Sequence, residues 1–126
     1  MLNTGKKSIL GAGRRQRKFA KERAVRRVPF VASAEVVEAG TGTKLVARTS
    51  EIGLGGCYID ALTPFGIGTC VAIKILRDQG TFQAKAKVVY SDATFGMGLK
   101  FDQLDLKQRT ILESWVADIV LADRAS

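Results

Sequence analysis

Arg23 and Arg27 stand four residues apart in the run ERAVRRVPF, with Arg26 beside the second of them. A guanidinium presents a planar fork of donors that clamps a phosphate with two parallel hydrogen bonds or stacks on a flat ring, which a lysine ammonium cannot do. A spacing of four puts both forks on one side of a helical turn, or within one small loop, near enough to share a ligand. Further along, Glu51-Ile52-Gly53-Leu54-Gly55-Gly56 joins an acid to three glycines, and glycine lets a backbone come close to whatever it meets.

Other chemistries are poorly provided for. The chain contains no histidine, so His-based acid and base catalysis and His-assisted nucleophiles have no candidate, and the commonest zinc ligand is missing. Cys57 and Cys70 sit outside any metal-ligand spacing and read as small apolar residues in a reducing compartment. Glycines 53, 55 and 56 lie between strand-like runs and not at a strand-to-helix turn, so they match no phosphate loop or dinucleotide fingerprint. The expectation is a non-catalytic protein with no metal and no cofactor beyond a regulatory ligand.

Charge separates two parts of the 126 residues. Met1 to Arg27 holds ten Lys or Arg against one acid, a net +9, whereas the remainder holds ten bases against eleven acids. A basic arm on a nearly neutral body attracts a polyanion, whether nucleotide, nucleic acid or acidic membrane. The organisation expected is a flexible basic arm over 1–21 and one β-rich domain over 22–122. Arg14 to Arg27 has few apolar residues, so a helical turn there needs a ligand for its order. No secretory core of ~7 to 15 apolar residues appears near the start, and no span of ~20 occurs anywhere, which points to a cytoplasmic location.

The elements that must position these residues are short strands. Val28 to Glu38, Lys44 to Thr49 and Cys57 to Asp60 read as the first three, with EIGLGG as the turn before the third. Val71, Ile73 and Ile75 then share one face, as do Phe82, Ala84, Ala86, Val88 and Tyr90, with Val89 as an exception on the polar side. Phe95, Met97, Leu99 and Phe101 form the last such set. Period-two alternation gives one buried and one wet face, as in an antiparallel barrel. The period then changes. Asp105 is placed to cap a helix with Gln108 three residues on, and Leu112, Trp115, Val116, Ile119 and Val120 line one stripe of it.

Arg23 and Arg27 just before the first strand resemble the RxxxR motif of PilZ domains, and Glu51 to Gly56 falls where that family carries (D/N)xSxxG. Within that stretch Gly56 matches, Glu51 replaces the Asp or Asn, and Gly53 replaces the Ser. A shifted register, Arg48 to Gly53, recovers Ser50 and Gly53 but puts a base where the acid belongs, so the first register is preferred. The resemblance implies a six-stranded antiparallel β-barrel of PilZ type with a C-terminal amphipathic α-helix. It also implies a receptor for cyclic di-GMP, active in bacterial signalling such as motility or biofilm control, in which the arm folds over the nucleotide and a downstream protein partner reads the change. The ligand-binding residues it implies are Arg23, Arg26, Arg27, Glu51, Gly53 and Gly56. Arginines suit guanine O6 and N7 as well as phosphate, and a carboxylate accepts from guanine N1 and N2.

Two alternatives remain beside it. An adaptor of the same fold could act by protein contact without nucleotide, as the altered second motif suggests. The arm could also tether nucleic acid or an anionic membrane, as Arg14, Arg15, Arg17 and Lys18 suggest.

Overall fold

Apolar side chains alternating with polar ones generate seven strands in the computed structural model, which describes residues 27–125. They are β1 (Arg27–Pro29), β2 (Ser33–Glu38), β3 (Lys44–Gly53), β4 (Gly56–Asp60), β5 (Cys70–Arg77), β6 (Gly80–Asp92) and β7 (Gly96–Phe101), followed by the helix α1 (Leu106–Ala125). The basic arm expected at 1–21, together with Arg23 and Arg26, lies outside the described residues.

All pairings are antiparallel in the order β1-β3-β2-β5-β6-β7-β4, and β4 returns to β3. That return closes a six-stranded barrel, with β1 as one extra strand. Its interior holds Val36, Ile52, Cys57, Ile59, Ile73, Ile75, Phe82, Val88, Met97 and Leu99, all buried. Burying side chains of this size stabilises the fold by ~1.5–3 kcal/mol each before the entropic cost of ordering is subtracted.

The stretch expected as one strand, Val28 to Glu38, divides into β1 and β2. Val31 is pushed out to 72% exposure between them, and the buried Thr49 of β3 fills the gap in the ladder. Its hydroxyl donates to the Phe30 carbonyl at 2.6 Å and accepts from the Ala32 amide at 3.0 Å. The ladder thus stays satisfied where its register breaks.

At the other end of the chain, the Asp105 carboxylate accepts from the Gln108 amide at 2.8 Å, the expected N-cap. The Gln108 side chain does something else. It accepts from the Gln83 amide of β6 at 2.8 Å and so ties the helix to the barrel. Leu112 and Trp115 are buried, and the Trp115 ring lies 5.7 Å from Phe30 and 6.3 Å from Phe82, centroid to centroid. Among the described residues no helix is long and apolar enough to cross a membrane.

Two expected core positions are corrected. Phe95 is 64% exposed because β7 begins only at Gly96. Tyr90 leaves the buried face because the β6–β7 register shifts between Val88 and Tyr90. That bulge spends Val89 and turns the following side chains over.

Candidate functional site

EIGLGG is mostly strand and not turn. β3 continues to Gly53, leaving Leu54 and Gly55 to connect it to β4 at Gly56. A register shift between Thr49 and Glu51 makes the extension possible. Without it Ile52 would point outward; with it Ile52 joins Cys57 in the core, and Glu51 comes opposite Tyr58 on the outside.

Two rows of outward positions therefore cross the barrel surface side by side. In the first, Arg27 of β1 lies opposite Gly53, the Leu54–Gly55 turn leads on to Gly56, Gly56 lies opposite Lys100, and Lys100 opposite Lys87. In the second, Glu51 lies opposite Tyr58, Tyr58 opposite Gly98, and Gly98 opposite Tyr90. The two tyrosine rings stand 6.2 Å apart, centroid to centroid, above Gly98. Three positions without side chains, Gly53, Gly56 and Gly98, thus form a floor edged by cations, a carboxylate and two half-buried aromatic rings.

The guanidinium of Arg27 crosses this floor. Its Nη2 lies 2.8 Å from where a Cβ on Gly56 would stand, and that same Cβ would overlap the carbonyl oxygen of Leu99. Only glycine fits there, because one neighbour is β7 backbone and the other a charged group laid over the strand. The Arg27 Nη1 atom is buried, so part of the charge sits against the barrel wall. Cys57, next to Gly56 but facing inward, feels it. Burial pushes the Cys57 thiol up from 9.0 to about 12, while the Arg27 charge pulls the other way.

Of the residues expected to bind ligand, Arg27, Glu51, Gly53 and Gly56 meet at this end of the β3–β4 hairpin. Arg23 and Arg26 fall outside the described residues. Tyr58, Tyr90 and Lys100 were not anticipated there. The exception of Val89 to the alternation of β6 was the one available sign that Tyr90 turns outward.

A hollow of about 730 Å³ lies elsewhere, near the start of β3, between Leu45 to Arg48 and the loops carrying Leu62 and Phe95. It shares no residue with the two rows and offers mainly apolar contact. Among the described residues no group of three or more His, Cys, Asp and Glu could hold a metal ion.

A barrel closed by a β3–β4 return, with an arginine entering from the first strand onto glycines of that hairpin, is the architecture of one class of small β-domain. The model of the PilZ domain family matches residues 16–118, and the chain belongs to that family. The PilZ domain with c-di-GMP of YcgR from Escherichia coli is similar in structure, with TM-score 0.68, 15% identity, 82% of this chain and 95% of that one covered. The K. pneumonia MrkH–c-di-GMP complex gives TM-score 0.67, 16% identity, and coverage of 83% and 56%. The Bacillus subtilis inhibitor of motility MotI/DgrA gives 0.66, 17%, 82% and 53%. No curated protein matches the sequence.

Proposed function

We propose that this protein is a non-catalytic receptor for cyclic di-GMP, which it holds on the glycine floor between Arg27, Glu51 and the Tyr58–Tyr90 pair. The observation that carries this reading is the Arg27 guanidinium laid over Gly56, within one hairpin of Glu51 and Gly53. Arg27 supplies donors for phosphate or guanine, Glu51 accepts from the guanine Watson–Crick edge, and the bare backbone lets a flat ligand lie close. Arg23 and Arg26, next in the same run, add further guanidinium groups when the arm closes over the nucleotide. The family and the c-di-GMP complexes among its structural neighbours support the choice of ligand. Ordering of the arm then changes the surface that a downstream protein reads.

Titration calorimetry of the full chain with cyclic di-GMP tests this directly. Removing a hydrogen bond to a charged group costs ~1.5–3 kcal/mol, so Arg27→Ala and Arg23→Ala each weaken binding by about ten- to a hundredfold. Absence of heat at micromolar ligand, or an affinity indifferent to both substitutions, rejects the receptor reading.

One observation favours a second reading. Gly53 stands where the family motif has a hydroxyl, so the protein could serve as an adaptor that binds its partner without nucleotide. In that case capture of the partner is the same with and without cyclic di-GMP.

A further inference from the structure

The first outward row does not end at Gly56. It continues through Lys100 of β7 to Lys87 of β6, each directly opposite the next. Like charges facing each other across an antiparallel pair are destabilising, and these two are exposed and form no ion pair among the described residues. Their other cross-strand neighbours, Gly56 and Cys70, carry no charge. Lys85, the next outward lysine of β6, faces no second lysine: its carbonyl accepts from the Asp102 amide, so Asp102 and not a base stands across from it.

A repulsion left standing next to a binding face makes sense when an anion fills it. Strands lie ~4.8 Å apart, so Gly56 to Lys87 covers two spacings, ~10 Å, well within the reach of two lysine side chains on one ligand. Resting on the receptor reading above, we infer that Lys100 and Lys87 form a second anion step beside Arg27, which takes the phosphate of the cyclic dinucleotide that faces away from the guanidinium. Arg27 holds one end of the ligand by direct hydrogen bonds, and the lysine pair holds the other as point charges. The lysine pair also makes ligand capture depend on salt, because exposed charges are screened within ~10 Å at 0.1 M.

The test is calorimetry of the full chain with cyclic di-GMP at several salt concentrations, on the parent and on Lys100→Gln, Lys87→Gln, Lys85→Gln and Arg27→Ala. Lys100→Gln is expected to bind about five- to tenfold more weakly and Lys87→Gln about threefold, as suits charge-assisted contacts that are partly exposed. Both flatten the salt dependence, and Lys85→Gln leaves affinity and slope unchanged. The melting temperature should stay level or rise in the two active-row variants, because relieving a repulsion does not unfold a barrel. Parent-like affinity and slope in Lys100→Gln and Lys87→Gln, with Arg27→Ala still weakened, overturns the anion step and leaves the receptor reading intact. A parent chain that binds no nucleotide overturns both.

Discussion

Gly56→Ala probes fold and site with one methyl group. The added Cβ would overlap the Leu99 carbonyl oxygen and stand 2.8 Å from Nη2 of Arg27, closer than the 3.0 Å that real Cβ atoms respect. Leu99 lies opposite Cys57 in the β4–β7 pairing, and its side chain is fully buried, so its backbone cannot rotate away as a surface group would. Either β4 and β7 separate locally or the guanidinium leaves its seat. Overpacking of this kind costs ~1–3 kcal/mol. For a domain of this size 1 kcal/mol corresponds to ~4–8 °C, so a fall in the melting midpoint on the order of 10 °C is expected. Gly55→Ala is the control, since a Cβ there meets nothing within 4 Å, and its effect stays within about 0.5 kcal/mol. Thermal unfolding by circular dichroism compares the two. If Gly56→Ala and Gly55→Ala melt together with the parent, the close seat of Arg27 against the β4–β7 ladder is wrong.

Four further outcomes are expected. Trp115→Ala removes the ring between Phe30 and Phe82 and should cost ~3–5 kcal/mol in urea unfolding; a loss below 1 kcal/mol would mean that the helix barely contributes to the core. Asp105→Ala deletes the cap on the Gln108 amide and should cost ~1 kcal/mol by the same assay, which an unchanged midpoint would contradict. At pH 8 a thiol reagent should label exposed Cys70 at once and buried Cys57 only after denaturant is added. Because the Cys57 thiol titrates near 12 in the fold against 9.0 ordinarily, the unfolded chain loses that proton first. Stability relative to Cys57→Ala is therefore full below pH 9 and falls as pH rises toward 12; a rise over that window would refute the assignment.

The barrel and its helix were legible because alternation and the 3.6-residue stripe report burial directly. Phe82 to Val88, Met97 to Phe101 and Asp105 to Trp115 all stand where those patterns put them. Bulges were barely legible, since an extra residue leaves no mark on composition; only Val89, breaking the alternation of β6, hinted at one. The shift at Thr49 to Glu51 converted an expected turn into strand and carried Glu51 onto the outer face. The shift at Val88 to Tyr90 moved a tyrosine from the expected core to the outer face, beside Gly98. Part of the site was visible as a motif, through Arg27 and Gly56. Its companions Lys100 and Tyr58 were not: Lys100 is a neighbour only through a register that pairs β4 with β7, far apart in the chain, and Tyr58 comes opposite Glu51 only through the shifted register of the β3–β4 hairpin.

The most direct measurement is an amide nuclear magnetic resonance titration of the full chain with cyclic di-GMP. Saturating nucleotide should move the Gly53, Gly56 and Gly98 amides together with those of Tyr58 and Lys100, while amides around the Leu62 and Phe95 hollow stay in place. Shifts confined to that hollow, or an unchanged spectrum, would contradict the placement of the ligand on the glycine floor.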